Sequence, residues 1–282
     1  MVRQRHPSAT DNPPWAAIIG DIVGSIYEFD NIKTKEFPFF EDRMEYTDDS
    51  ILTIATADWL LSGGYAGDYY LRYAKMYPYP MGSYGTMFVQ WIHKANRGQM
   101  QPYNSCGNGS AMRIAPVGWA FEKEEDLLKA AKKSAECTHN HPEGIKGAQA
   151  TSLCIYLARH GSTPSEIKRR IEKDFGYDLS MSIDDIRPRY SWQGLDGIVS
   201  GATCQGSVPQ AIICGINATG FEDAIRNSIS IGGDSDTIGC ITGAIAEALY
   251  GIPEDIRTRG MAYLPSPLQD VVLKFEKKYG FK

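Results

Sequence analysis

With 282 residues, of which 43% are hydrophobic and 22% charged, the chain has the makeup of an ordinary globular protein with ample material for a buried core. A formal net charge of -5 excludes a general polyanion binder, so any nucleotide must be held by a local site and not by a basic surface. The longest small and apolar run, 229 to 251, is interrupted by Glu247 and offers no membrane span. The six cysteines form no CxxC pair and no apolar leader is visible, which points to a soluble protein of the reducing cytoplasm without zinc or disulfides.

Residues 1 to 14 (MVRQRHPSATDNPP) are polar and Pro-bearing and read as a mobile lead-in, with residues 15 to 282 forming one domain. From Trp15 onward the dominant pattern is helical, and convincing period-two strands are absent. Apolar residues three and four apart predict helices over 50–61, 124–138, 142–160 and 267–280. Start signals agree: TPSE at 163–166 is a capping box with Pro164 at the first helical position, and Pro142 and Pro253 are expected at the same point of their own helices. The stretch 176–207 is the least regular and reads as a long loop of the kind that lines a site. No repeat and no linker divides the chain.

Two acidic clusters stand directly before apolar helices. Thr47, Asp48 and Asp49 precede one, and Asp234, Asp236 and Thr237 open the other. Helix capping accounts for either cluster alone, because Thr and Asp accept hydrogen bonds from free N–H groups and negative charge there is favoured, each effect being worth about 0.5–1 kcal/mol. Together the clusters offer four Asp and two Thr side chains, a hard oxygen set suited to Mg2+, and two such ions about 3.5–4 Å apart are a familiar catalytic arrangement. Adjacent aspartates repel unless a cation sits between them. An EF-hand does not account for the second cluster, since counting from Asp234 places Ile238 and Ile245 where oxygen ligands are required. Behind it, Gly239, Gly243 and Ala246 are spaced for close backbone approach.

Gly107-Asn108-Gly109-Ser110 offers a run of backbone N–H groups entering a helix, which suits a phosphate, but a plain Asn-Gly turn explains it equally well. Met112 stands where a dinucleotide fingerprint would need a further glycine. His139 and His141 read as a solvent-facing pair, a cap or a catalytic unit, and Glu28, a weak signal by itself, as a buried partner of an arginine.

Taken in order, GDIVGSIYEF, TDDS, GNGSAMR, THNHPEGIKGA, CQGSVPQA and FEDAIRNSISIGGDSDTIG resemble the ADP-ribosylglycohydrolase family from about Ala16 to the C-terminus. The resemblance implies an all-α fold, a compact single-domain orthogonal helical bundle with two Mg2+ (or Mn2+) ions in a central cleft. It assigns Thr47, Asp48, Asp49, Asp234, Asp236 and Thr237 to the metals. Gly107, Asn108, Gly109, Ser110, Met112 and His139 would bind the phosphates and ribose of ADP-ribose. Glu28 would be the acid/base, with Asp48 or Asp49 as the alternative base, and the segment 190–203 is a longer insertion than in better-known members. The implied activity is Mg-dependent hydrolysis of the glycosidic bond at the anomeric carbon of an ADP-ribose conjugate, carried on protein, nucleic acid or a small molecule, by a monomeric enzyme. Two other readings stay open: a two-metal phosphoesterase that cuts a nucleotide diphosphate and releases AMP, and a non-catalytic ADP-ribose binder.

Overall fold

The computed structural model describes residues 9–10 and 14–280, so most of the lead-in expected over 1–14 lies outside the described residues. Helices α1 (Trp15–Gly24), α2 (Asp48–Ser62), α3 (Ala66–Met76), α4 (Thr86–Ala95), α5 (Gly109–Met112), α6 (Ala115–Ala120), α7 (Glu124–Glu136) and α8 (Pro142–Arg159) form the first part of an all-α fold. Helices α9 (Pro164–Phe175), α10 (Ile183–Ile186), α11 (Cys204–Ile216), α12 (Phe221–Ser230), α13 (Ser235–Tyr250), α14 (Glu254–Met261) and α15 (Ser266–Tyr279) complete it. A short antiparallel ribbon joins β1 (Ala9–Thr10) to β2 (Ile252–Pro253), pairing Ala9 with Pro253 and Thr10 with Ile252.

The four helices predicted from periodicity are α2, α7, α8 and α15, with ends shifted by a residue or two. The capping box is complete: Thr163 Oγ1 accepts from the Glu166 N–H at 3.3 Å, and Glu166 Oε2 accepts from the Thr163 N–H at 2.7 Å. Pro142 opens α8 as expected. Pro253 does not open α14: it precedes the helix as its N-cap, because the chain there is extended (ψ 135°) and pairs with Ala9. The stretch 176–207 is not one loop either, since Ser182 caps the short α10, accepting from the Asp185 N–H at 3.2 Å. Among the described residues no helix is long and apolar enough to cross a membrane, and all six cysteines are free.

Helix α13 is buried along almost its whole length. It packs against α1, α8, α11 and α12, and its contact with α1 is backbone on backbone. A Cβ on Gly239 would collide with the Gly20 carbonyl, one on Gly20 with the Gly239 carbonyl, and one on Gly243 with the Ala16 carbonyl, so only glycine permits this crossing. Ile18, Ile19 and Ile22 of α1 and Ile238, Ile241 and Ile245 of α13 are fully buried around it, each stabilising the fold by about 1.5–3 kcal/mol. The consequence for function is positional. The crossing sets Asp21, on α1, beside the first turn of α13, which carries Asp236.

Candidate active site

Asp21 is the lone carboxylate in an otherwise apolar helix, and it is fully buried. It accepts from the Thr47 N–H at 3.0 Å, the Thr47 hydroxyl at 2.6 Å, the Ser50 N–H at 3.1 Å and the Ser50 hydroxyl. These bonds tie α1 to the N-terminus of α2. The sequence analysis gave Asp21 no role, although an Asp inside an unbroken apolar helix is the signal that marks it.

Capping explains part of the first cluster and none of the second. Thr47 is the N-cap of α2: its Oγ1 accepts from the Asp49 N–H at 3.2 Å, and its fully buried hydroxyl donates to Asp21. This releases the carboxylates of Asp48 and Asp49 from capping, and Asp49 Oδ1 is buried with no hydrogen-bond partner. Asp234 occupies the N-cap of α13, yet its side chain makes no capping bond. Its Oδ2 accepts instead from Asn108 Nδ2 at 2.7 Å, across 126 residues of sequence. Asp236 Oδ1 accepts from the N–H of Thr237 at 2.9 Å, and the Thr237 hydroxyl lies 3.9 Å from Met112 Sδ.

Two sets of carboxylate oxygens lie within 4.8 Å of one another, Asp21 with Asp49 and Asp236, and Glu28 with Asp234 and Asp236. The crowding shows in their protonation. Burial pushes Asp21 up to about 6 against the pull of its four hydrogen bonds. Burial likewise lifts Asp234 to about 6, opposed by hydrogen bonds with Asp236 and Asn108 and reinforced by Glu28 and Asp48. Asp48, Asp49 and Asp236 are all raised well above the ordinary carboxylate range, by burial first and neighbouring carboxylates second. Glu28 rises to about 9, through burial and then Asp236, Asp48 and Asp21. An orphaned buried carboxylate oxygen among acids that hold one another's protons on is the donor chemistry that a hard divalent cation satisfies, so the residues fit such an ion.

These acids open into a cleft of ≈ 440 Å³ that Glu28, Asp48, Asp49, Asp234, Asp236 and Thr237 all line. Glu28 has room because position 82 is glycine at φ +75°, where a Cβ would lie 2.6 Å from Glu28 Oε2. Trp192, from the 190–203 segment, lines the same cleft, donates from Nε1 to the Glu28 carbonyl at 2.7 Å and stacks on Phe29 with ring centroids 5.8 Å apart. Sequence reasoning singled out neither aromatic residue.

Gly107, Asn108, Gly109, Met112 and His139 form another part of the wall. Within the glycine loop, the Gly107 N–H is spent on Ser105 Oγ at 3.0 Å and the Asn108 N–H on the Ala202 carbonyl at 3.0 Å. The Gly109 N–H, on the cleft wall, is left for a ligand. The Ser110 side chain is not available: fully buried beneath the cleft, it donates to the Gly144 carbonyl at 2.7 Å. The two histidines part company. His141 caps α8 by accepting from the Glu143 N–H at 3.1 Å, whereas His139 is buried in the wall. Arg113 Nη2 donates to Thr138 Oγ1 at 2.7 Å, and that hydroxyl lies 2.8 Å from His139 Nδ1, an interaction that leaves Nε2 free for the loop. That nitrogen faces Gly107 and Gly109, lying 3.5 Å and 3.2 Å from where their Cβ atoms would be. Burial, and then the charge of Arg113, hold His139 well below its ordinary value and hence neutral.

The ADP-ribosylglycohydrolase family pattern matches residues 15–275. ADP-ribosylhydrolase ARH3 of Homo sapiens is 28% identical over 305 residues, covering 84% of each chain. The Danio rerio protein of the same name is 27% identical over 308 residues, covering 84% of this chain and 81% of its own. ADP-ribosylarginine hydrolase Tri1 of Pseudomonas putida (strain GB-1) is 23% identical over 279 residues, covering 83% of this chain and 68% of its own. A solved structure, an ADP-ribosylglycohydrolase-related protein complex, shares the fold with a TM-score of 0.69 at 23% identity, over 95% of this chain and 98% of that one.

Proposed function

The chain belongs to the ADP-ribosylglycohydrolase family, and from that premise we propose that it is a metal-dependent hydrolase that cleaves the glycosidic bond at the anomeric carbon of an ADP-ribose conjugate and releases ADP-ribose. The observation that carries this reading is the meeting of Glu28 with the carboxylates of two distant helix starts in one cleft. The relatives named as ADP-ribosylhydrolases and as an ADP-ribosylarginine hydrolase support the substrate class.

Asp236 belongs to both oxygen sets and is our first candidate among the residues that would hold two Mg2+ or Mn2+ ions. Asp48, Asp49 and Asp234, with the hydroxyls of Thr47 and Thr237, would supply the remaining donors. Bound there, such ions would offset the crowded negative charge and take the ribose hydroxyls. The chain's own groups do the rest. Cleavage at the anomeric carbon passes through an oxocarbenium-like state, which needs a proton for the departing atom and a base for water. Glu28, whose proton is held on by burial and by Asp236, is our candidate acid, and Asp48, which lines the same cleft, is the candidate base once positive charge beside it offsets the neighbouring carboxylates. Asn108 aims Asp234, and Asp21 fixes the start of α2. His139 Nε2 and the N–H of Gly109 would help to bind the diphosphate, and this remote binding energy would hold the reacting sugar in place.

Mass spectrometry of the products formed by the purified protein with Mg2+ or Mn2+ tests the reading, using arginine-linked, serine-linked, O-acetyl and base-linked ADP-ribose conjugates. Free ADP-ribose from at least one conjugate is the expected result. AMP would reassign the protein to the phosphoesterases, and no product from any conjugate would leave a binder. Anomalous scattering from Mn2+-soaked crystals should show two ions about 3.5–4 Å apart beside Asp236.

A further inference from the structure

We infer that Asn31 is a positioning residue, an amide latch that holds Glu28 and Asp234 in one register so that carboxylates from opposite ends of the chain face each other across the cleft. For its activity readouts this rests on the hydrolase reading above.

Asn31 follows Glu28 by three residues and precedes Gly233 by 202. The two protons of its side-chain nitrogen are shared among the carbonyls of Tyr27 at 2.6 Å, Glu28 at 3.1 Å and Gly233 at 2.9 Å, and its side-chain oxygen accepts from the Gly233 N–H at 2.7 Å. One amide thus engages both polar groups of Gly233, as a neighbouring strand would, while gripping the carbonyl of the residue that carries the acid. The partners fix its orientation, with three carbonyls around the nitrogen and one N–H at the oxygen.

The turn that Asn31 grips has little rigidity of its own. Gly232 and Gly233 take φ +70° and +80°, and glycine, which enters that region at no steric cost, also leaves it freely. The turn's own bonds are the Gly232 N–H to the Ile229 carbonyl at 3.0 Å and a long one from Ser235 Oγ to the Gly233 carbonyl at 3.4 Å; the rest of its support comes from outside, from Asn31 on Gly233 and from Lys33 Nζ donating to the carbonyls of Ile231 and Tyr190. Asp234 is the next residue, so freedom in the turn becomes displacement of its carboxylate. Trp192 bonds the same Glu28 carbonyl from the 190–203 segment, and the three strips of chain around the acid are cross-tied. Asp at position 31 would keep the acceptor for the Gly233 N–H but lose every donor, and Gln would be one methylene too long.

The test uses Asn31→Ala, with the isosteric Asn31→Asp as the second variant should the first fold poorly. In the metal-free protein, hydrogen exchange at the Gly233 amide should speed up about tenfold or more while core amides of α13 stay protected. Mn2+ affinity, read by electron paramagnetic resonance, and kcat should each fall about 10- to 100-fold, with KM and the melting temperature little changed. In a Glu28→Gln background the part of the Asn31→Ala kcat penalty that acts through the acid should vanish and only the part that acts through Asp234 should remain, so the two penalties should multiply incompletely. Unchanged Gly233 exchange, a melting-temperature loss with Mn2+ affinity and kcat intact, or full multiplication of the two kcat penalties would each overturn the inference. Should the wild-type protein release no ADP-ribose, the hydrolase reading fails, while amide exchange and Mn2+ affinity still decide the latch.

Discussion

Stripping divalent cations from the protein should make its stability fall as pH rises, and adding them back should restore most at high pH. Asp21 and Asp234 keep their protons up to about 6 and Glu28 up to about 9 in the folded protein, against ordinary values of 3.8 and 4.5. Over that window the folded state binds more protons than the unfolded one. The contribution of these groups is therefore fully present below about pH 4 and is lost as pH rises through 6 and then 9. The Asp21 shift alone, about two units, corresponds to about 3 kcal/mol. Asp48, Asp49 and Asp236 move in the same direction, but neighbouring acids share their protons and the contributions do not sum.

Opposing groups decide the choice of readout. The exposed carboxylates held below their ordinary range, such as Asp178 and Asp196, lose their contribution as pH falls, have it in full by about pH 5 and add no pH dependence above that. His139 runs against the cluster, because burial keeps it neutral and it adds stability as pH rises through 6.5. It lies outside the acidic sets, however, and so cancels in the difference between metal-loaded and metal-free protein at a given pH. That difference is the quantity to measure, by calorimetric melting at pH 5 and pH 8 in chelator and in Mn2+. A cation at a hundred times its dissociation constant adds about 2.7 kcal/mol, and about 1 kcal/mol moves the midpoint of a chain this long by about 2–4 °C. A rise of several degrees is expected at pH 8 and a markedly smaller one at pH 5, where protons compete for the ligand oxygens. An equal increment at the two pH values, or none at either, would refute the assignment of these acids to a metal.

The other expectations are more local. Glu28→Gln should lower kcat about a hundredfold or more with ADP-ribose affinity preserved in titration calorimetry, and an unchanged rate would remove Glu28 from the chemistry. Gly109→Val should weaken ADP-ribose binding with Mn2+ binding unchanged, since even its Cβ would lie 3.2 Å from His139 Nε2; native-like affinity would mean that the loop is only a turn. Gly239→Ala must push α13 off the Gly20 carbonyl and should cost about 1–3 kcal/mol in urea unfolding, together with weaker Mn2+ binding because Asp21 and Asp236 move apart.

What could be read from the sequence was whatever a local pattern encodes. The amphipathic spacing of α2, α7, α8 and α15, the Thr163 to Glu166 box and the two acidic helix starts all lie within a few residues of chain. What escaped depends on contacts between distant segments. Asp21 acquires its role only when α1 meets the start of α2, Asn31 only when it reaches Gly233, and Trp192 only when its segment folds back over Glu28. Ser110 was placed with the ligand loop by adjacency, but one turn of helix carries its hydroxyl beneath the cleft to Gly144. Pro253 was misplaced for a related reason, since its extended backbone is set by pairing with Ala9.

The two acidic clusters also show why a cap and a ligand are hard to tell apart in sequence and easy to tell apart in three dimensions. Both functions want an oxygen at a helix N-terminus, and the helix dipole favours the ionised form there by about 0.3–1 kcal/mol per charge. If that were the dominant effect, these aspartates would be more acidic than usual. They are not: Asp48, Asp49 and Asp236 lie well above their ordinary range, and even the N-cap Asp234 is lifted to about 6. Burial and mutual repulsion therefore outweigh the dipoles, because one unit of upward shift, about 1.4 kcal/mol, already exceeds what a helix end returns. Thr47, which caps α2 with its side chain, has no carboxylate to turn into the cleft. All four aspartates line the cleft, although Asp236 keeps one oxygen on the Thr237 N–H, and this arrangement costs the free protein stability that positive charge among them would restore.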